Sequence, residues 1–268
     1  MLMTASMQKV MLELADCCKP ATGDPSNGWT IDAWGLSEDT VDHLVKAYRE
    51  SFSPTLESRI NARLNNSDID LDKLLVDSTT ITKPQHERVV RSDLTEFAAA
   101  ASLIAVEGVQ ADYMYLANLS KGSRKKSDSG IDVVAIKPHA DAVDLSNEAD
   151  YILIMCSVKH TIKKASDMRG KLVTSVTDDF TIPYLSAQFV VIYKEFSKAG
   201  INLESIFEKL IDYPRSGSVL IIAAGAVDTN EGENLTDQMK HLPIRASNTY
   251  HCRHLFLEDI ANLHAKVQ

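Results

Sequence analysis

Residues 150–169 read DYILIMCSVKHTIKKASDMR, and the prediction of the fold starts from this stretch. Its apolar part, residues 151–156, is too short to cross a membrane and has the length of a buried strand. The polar end of this strand carries Ser157, Lys159 and His160, and a basic stretch follows directly. We therefore predict a central β-strand whose end carries chemically active side chains.

A second strand is predicted upstream, over residues 131–137, where Asp132 lies just after the glycine of SDSG. An aspartate on one strand and a lysine at the end of the next is an arrangement used for metal-dependent phosphodiester cleavage. The carboxylate holds the metal, and the lysine steers or activates the attacking water. Mg²⁺ prefers several hard oxygen ligands, whereas Ser157, two positions before Lys159, is a poor ligand. Either the site is inactive, or the missing carboxylate comes from elsewhere.

Length and composition indicate an ordinary globular protein. The 268 residues suffice for one large domain or two small ones, with 44% apolar and 24% charged residues. No apolar run approaches the ~20 residues of a membrane helix, so no membrane partner is expected. The N-terminus lacks a signal-peptide cleavage pattern. The four cysteines form no CxxC pair, which indicates reduced thiols in a cytoplasmic protein.

Helices and strands interleave after a largely helical start. We predict an N-terminal helical region over residues 1–85 and a second domain over 86–268, an α/β core with helices on both faces of its sheet. A long helix over 92–108 has small residues at 98–101, which would let it approach the sheet closely, and Gly108 as its stop. Further strands are predicted at 112–117, 218–224 and 246–252, and further helices at 7–17, 40–52, 184–198 and 255–266.

The distribution of charge bears on the partner. A net charge of −9 counts against a nucleic-acid partner, but positive charge is concentrated on both sides of the candidate strand. Four cations lie within residues 121–126, and five lie within 159–171 with Asp167 alone opposing them. Such clusters could face a phosphate backbone. Alternatively, both clusters are solvated loops.

The stretch CSVKHTIKKASDMR resembles the motif of the type II restriction endonucleases that recognise CCGG-containing sites, the NgoMIV-like group of the PD-(D/E)XK nuclease superfamily. In that group the strand ends in Ser-x-Lys, the carboxylate has migrated to a later helix, and a basic stretch with Asp and Arg reads C·G pairs. The resemblance implies a restriction-endonuclease-like core, a central mixed sheet flanked by helices. It also implies Mg²⁺-dependent cleavage of double-stranded DNA at a short palindromic site containing CCGG, by a homodimer or a larger assembly.

The resemblance also assigns roles to individual residues. Asp132 would hold the metal with help from Glu96 on the preceding helix, Lys159 would be the catalytic lysine, and Ser157 matches the serine of the motif. Arginine can donate two hydrogen bonds to guanine, and aspartate can accept one from cytosine. The DNA-contacting residues implied in this way come from the two cation-rich stretches, 121–126 and 159–171: Lys163, Lys164, Ser166, Asp167, Arg169 and Arg124.

The chain departs from the motif in three places. The stretch that would read the bases, around Asp167 and Arg169, lies about two residues further from Lys159 than in the motif, and Met168 separates Asp167 from Arg169. No glutamate stands near residues 173–175, where the migrated acid is expected. We assign that role, and a place among the metal ligands, to Asp178, with Asp179 as the alternative.

Other interpretations remain open at this point. Asp132 could simply cap a strand, Lys159 could be a solvated strand-end lysine, and Glu96 could face solvent. Two further functions are compatible with the same motif. The chain could be the nuclease subunit of an anti-phage system that a partner activates, or a catalytically inactive nuclease-fold protein that binds DNA.

Overall fold

A mixed sheet of eight strands runs through the protein. The computed structural model describes residues 2–20, 24–26, 29–36, 40–51, 87–120, 131–142, 145, 147, 150–161, 168, 171, 182–204, 219–228, 250–257 and 265. The helices are α1 (Ala5–Asp16), α2 (Thr40–Glu50), α3 (Glu87–Ser102), the short α4 (Ala117–Ser120) and α5 (Ile182–Lys198). The strands are β1 (Cys18–Pro20), β2 (Asp24–Ser26), β3 (Trp29–Leu36), β4 (Met114–Leu116), β5 (Val133–Pro138), β6 (Tyr151–His160), β7 (Val219–Asp228) and β8 (Tyr250–Leu257).

The strand order is β1-β3-β8-β7-β6-β5-β4, and β2 also pairs with β3. Strands β3, β8, β7 and β6 are parallel to one another. Strand β5 is antiparallel to both β6 and β4. The sheet is therefore mixed. Parallel pairing changes to antiparallel pairing at β6, beside β5, and also at β3, which is antiparallel to β1 and β2.

The β6 strand is buried along most of its length because its sequence is a nearly continuous apolar run, as expected for a strand covered on both faces. Side chains alternate between the two faces. Ile154, Cys156 and Val158 belong to the main hydrophobic core together with α3. Ser157 and Lys159 therefore project from the opposite face of the sheet.

Helix α3 packs closely on the core face of β6. The stretch Ala98–Ala101 is fully buried, which confirms the prediction that small residues bring this helix close to the sheet. The helix passes into a π-helical turn, Leu103–Glu107, and Gly108 ends it in the left-handed conformation with φ 67°. Helices α1 and α2 pack against α3 and share the same core.

Helix α5 lies within the crossover between the parallel strands β6 and β7, a connection that parallel pairing requires. It is amphipathic, with Phe189, Ile192 and Phe196 buried. Just beyond it, the backbone carbonyl of Asn202 accepts a hydrogen bond of 2.7 Å from the Tyr151 hydroxyl. The segment after α5 is thereby attached to the start of β6, on the face away from α3.

The N-terminal region differs from its prediction. The sequence predicted mainly helices before residue 85, yet the structure adds β1, β2 and β3 between α1 and α2, and β3 joins the main sheet beside β8. The apolar residues Trp29, Ile31 and Trp34 give this stretch a strand-like composition that the prediction overlooked. Residues 52–86 lie outside the described part, so the boundary at residue 85 stays a prediction.

The C-terminal strand is also longer than predicted. Residues 255–257 were expected to begin a helix but continue β8, which pairs along its length with β7. Leu255 and Leu257 are buried in the core, and burial there outweighs the helical spacing of the downstream apolar residues. Across the described stretches, no helix has the length and apolar character needed to span a membrane.

Candidate active site

The candidate site is the point at which β5 and β6 separate. Val133, the first residue of β5, is paired with Cys156 of β6. Asp132 extends this pairing, because its N–H donates to the Cys156 carbonyl at 2.9 Å. One step further, the N–H of Val158 donates to Oδ2 of Asp132 at 2.6 Å. In a regular antiparallel pair, the N–H of Val158 would donate to a backbone carbonyl of the neighbouring strand. Here the carboxylate of Asp132 accepts that hydrogen bond instead.

The backbone of Asp132 is fixed from both sides. Its N–H is bonded to β6, and its carbonyl accepts a 2.9 Å hydrogen bond from the N–H of Ala117, directly after β4. The residue is only 6% exposed. A buried carboxyl oxygen needs a hydrogen-bond partner, and the Val158 N–H supplies one. Asp132 is therefore a rigidly held carboxylate.

The structure brings Asp132 together with the Ser-x-Lys end of β6. Lys159 directly follows Val158, so its Cα lies about 3.8 Å along the chain from that of the residue bonded to the carboxylate. Ser157 is fully buried and Lys159 is half-buried. Lys159 is paired in register with Gly225 of β7, which adds no side chain beside it. The strand therefore fixes the backbone of Lys159 close to the carboxylate of Asp132, which is itself held by a hydrogen bond to Val158.

Glu96 lies on α3 and is 1% exposed, so the alternative that this side chain faces solvent is wrong. Helix α3 covers the face of β6 that presents Val158, whereas Ser157 and Lys159 alternate to the other face. The hydrogen bonds of Asp132 described above link it with β6 and with the residue after β4. The role of Glu96 as a metal ligand stays a prediction.

Asn118, a residue that the sequence does not single out, lies beside the site. It follows Ala117, the residue hydrogen-bonded to the Asp132 carbonyl. Its side chain is fully buried, and neither amide atom has a hydrogen-bond partner within the described stretches. A buried amide in this state costs free energy. No pattern in the sequence marks this residue, and only the structure shows that it is buried.

His160, at the end of β6, has an unusual environment. Burial above all, together with the positive charges of Lys171, Arg91 and Arg88, lowers the pKa of His160 to about 4. The imidazole is therefore neutral near pH 7. The backbone carbonyl of the same residue accepts a hydrogen bond from Nζ of Lys171. The sequence pattern draws attention to His160 but does not reveal the arginines of α3 near it.

A divalent cation such as Mg²⁺ needs several hard oxygen donors. The carboxylate of Asp132 is a hard oxygen donor of the kind that Mg²⁺ binds. The described stretches contain no group of three potential His, Cys, Asp or Glu ligands. Asp132 therefore fits a magnesium site as one ligand, and further carboxylates would have to join it.

Several predicted site residues lie outside the described part of the chain. Among them are the migrated acid, whether Asp178 or Asp179, and the implied DNA contacts Lys163, Lys164, Ser166, Asp167, Arg169 and Arg124. Met168, within this stretch, is described and is fully buried. The roles of its neighbours stay predictions.

Comparison with known proteins adds no relative. No protein-family model matches the chain, and no curated protein is significantly similar to it. The function therefore has to be inferred from the geometry of the β5–β6 separation and from the motif in β6.

Proposed function

We propose that this protein is a Mg²⁺-dependent DNA endonuclease built on a restriction-endonuclease-like core. In its more specific form, the proposal is a type II restriction endonuclease that cleaves both strands of a short palindromic site containing CCGG. The mixed sheet with helices packed against it is compatible with such a core. The specific form depends on the resemblance of CSVKHTIKKASDMR to the motif of the CCGG-recognising enzymes.

One observation carries the proposal. The carboxylate of Asp132 accepts a hydrogen bond from the backbone of Val158, the residue between Ser157 and Lys159. An aspartate at the start of one strand and a lysine at the end of the neighbouring strand therefore share one small region. The same hydrogen bond would also be made by an aspartate that only caps the strand. The proposal therefore depends in addition on the Ser-x-Lys sequence that follows in β6.

The protein's own residues could act as follows. Hydrolysis forms a bond between phosphorus and a water oxygen, while the bond to the leaving sugar oxygen breaks and that oxygen takes up a proton. The ammonium of Lys159 would approach the phosphate and stabilise the negative charge that develops during attack. Its donors could also orient the water. The rigid backbone around Asp132 keeps the carboxylate in place, which reduces reorganisation during the reaction.

Asp132 would be the first ligand of the divalent ion, with Asp178 and Glu96 as the proposed further carboxylates. When bound, Mg²⁺ supplies neutralisation of the phosphate charge and Lewis-acid activation. Cleavage of both strands of a palindrome needs two sites related by a two-fold axis, so the acting form would be a homodimer.

The test is digestion of a sequenced plasmid by the purified chain with Mg²⁺. We expect discrete fragments whose ends share one short sequence, and loss of these fragments in Asp132→Asn and in Lys159→Gln. The matched controls are Asp112→Asn, at an exposed aspartate, and Lys137→Gln, at a half-buried lysine at the other end of β5. Both controls should cleave as the parent does.

The outcomes separate the parts of the proposal. Fragmentation without a common end sequence would reject the site-specific form but keep the nuclease. If the folded chain cleaves no DNA with Mg²⁺ or Mn²⁺, the proposed nuclease activity is rejected. Equal activity in Asp132→Asn and the parent would remove this site from the mechanism.

A second candidate function is favoured by Ser157. This residue stands where a metal-binding carboxylate is common, and it is fully buried. A chain that has lost the carboxylate could bind DNA without cutting it. That candidate predicts salt-sensitive duplex binding with no fragment formation in any divalent metal.

A further inference from the structure

Four basic residues lie near the end of β6, beside the face of the sheet that α3 covers. Arg88 and Arg91 belong to the first turns of α3, His160 is the last residue of β6, and Lys171 follows in the chain. These four residues are called the basic cluster below. The resemblance assigns a DNA contact to none of the four, although Lys171 belongs to the cation-rich stretch 159–171.

Strand alternation places His160 on this face. Val158 belongs to the core with α3, and His160 follows it by two positions. In register, His160 is paired with Ala226 of β7, which is buried in the same core. Lys159 alternates to the other face, so the basic cluster lies beside the candidate site but is distinct from it.

The basic cluster contains one buried residue, Arg91, and two exposed residues, Arg88 and Lys171. The side chain of Arg91 is 9% exposed and forms an ion pair with Glu87. Arg88 and Lys171 are exposed, and Nζ of Lys171 donates to the His160 carbonyl. The buried members fix the geometry, and the exposed members leave the cluster accessible to a ligand.

The electrostatics of the cluster favour an anion. Burial and three cations hold the pKa of His160 far below its usual range, and each charged group that contributes to this shift is positive. The positive potential therefore persists although Glu87 is paired with Arg91. An anion placed among these groups would relieve the repulsion between them, and arginine matches the geometry of phosphate oxygens.

We propose that the basic cluster binds a phosphodiester of the DNA backbone that flanks the phosphate at the Asp132–Lys159 site. The identity of the anion rests on the proposed function, whereas its position rests on the described geometry. The flanking phosphate would fix the register of the duplex on the enzyme, which is the usual role of backbone contacts. Arg88 and Lys171 would be positioning residues in this scheme and not catalytic ones.

The experiment measures duplex binding by the full chain without divalent metal, so that cleavage does not interfere. The variant is the double substitution Arg88→Gln/Lys171→Gln, and the matched control is Lys9→Gln/Lys19→Gln, which removes two lysines elsewhere. We expect affinity to fall about tenfold or more in the cluster variant. The slope of log affinity against log salt should become shallower by about 0.9 for each phosphate that the variant no longer neutralises. The control should change neither quantity.

A second measurement follows the His160 imidazole directly. Addition of duplex should shift its NMR resonances in the parent chain, and the shift should be reduced in the cluster variant. Arg88→Lys, which keeps the charge, should restore much of the affinity when Lys171 is left unchanged. Thermal unfolding of each variant establishes that it is folded.

The results distinguish the two proposals. If the parent chain cleaves plasmid and the cluster variant binds duplex as tightly as the control does, the proposed phosphate binding by the cluster is wrong and the proposed nuclease activity stands. If the parent chain never cleaves but binds duplex more tightly than the cluster variant does, the phosphate binding by the cluster is supported and the nuclease activity is rejected. A parent chain that binds no duplex overturns both.

Discussion

Oδ2 of Asp132 accepts a 2.6 Å hydrogen bond from the N–H of Val158, across the point where β5 and β6 separate. This contact joins two parts of the sequence that are 26 positions apart. It has a structural role, because it satisfies a buried backbone donor. It also places a carboxylate next to Lys159, so stability and activity can be separated by choice of substitution.

Asp132→Ala should destabilise the fold by about 1–3 kcal/mol, because it leaves the buried Val158 N–H without its acceptor. Asp132→Asn keeps an oxygen acceptor and should cost about 1 kcal/mol. Under the proposed function, both variants should lose at least about 100-fold in cleavage rate. Denaturant unfolding measures the first quantity, and plasmid cleavage measures the second. Equal stability of the Ala variant and the parent would show that the hydrogen bond is unimportant.

Lys159→Gln should leave stability within about 1 kcal/mol of the parent, because the lysine is half-buried at a strand end. Under the proposed function, its cleavage rate should fall about 10²–10³-fold, since the cation proposed to stabilise the developing charge is lost. Lys137→Gln on β5 is the control and should keep its activity. A Lys159 variant as active as Lys137→Gln would remove the lysine from the mechanism.

The pH dependence of stability should carry a contribution from His160. An unperturbed histidine has a pKa of about 6.5, whereas burial and the cations Lys171, Arg91 and Arg88 lower the pKa of His160 to about 4. The unfolded chain takes up the proton first, so this contribution is intact above pH 6.5 and is lost as pH falls toward about 4. The loss should reach up to about 3 kcal/mol.

Unfolding free energies between about pH 7 and pH 4 test this expectation. His160→Gln should flatten the dependence, because the titrating group is absent. His139→Gln, at an exposed histidine, should keep the slope of the parent. Identical slopes in the two variants would contradict the prediction.

Asn118→Leu should be neutral or stabilising by about 1 kcal/mol, because it replaces a buried amide that lacks partners within the described stretches by an apolar side chain of similar size. If the amide contributes to the neighbouring site, the same variant should cleave more slowly than the parent. A stabilised variant with reduced activity would mark Asn118 as a functional residue. A strongly destabilised variant would show that the amide makes a structural hydrogen bond.

Gly108→Ala should destabilise the end of α3 by about 1–2 kcal/mol. A Cβ at this position would meet no atom within 4 Å, so the cost arises from the positive φ of 67° alone. Gly108→Asn should cost less, because asparagine tolerates this conformation better. Thermal unfolding compares the two, and equal melting temperatures for Ala and Asn would contradict the explanation by backbone strain.

Much of the fold followed from local pattern. The apolar runs that became β5, β6 and β7, the long helix α3 with Gly108 at its end, and α5 were all predicted near their observed positions. The strands are continuous apolar runs and the helices carry apolar residues at helical spacing, so burial and local preference agree. The strands before α2 and the C-terminal part of β8 were missed or shortened, because their conformation depends on pairing with distant strands.

The sequence by itself determined that Asp132 and Lys159 lie near the ends of two buried strands, since apolar runs bounded by polar residues specify strands locally. Only the tertiary structure decided that the two strands are neighbours and that the carboxylate is bonded to the backbone of Val158. It also decided that Arg88 and Arg91 lie near His160. Strand register and helix packing depend on long-range pairing and burial, which residue spacing along the chain does not encode.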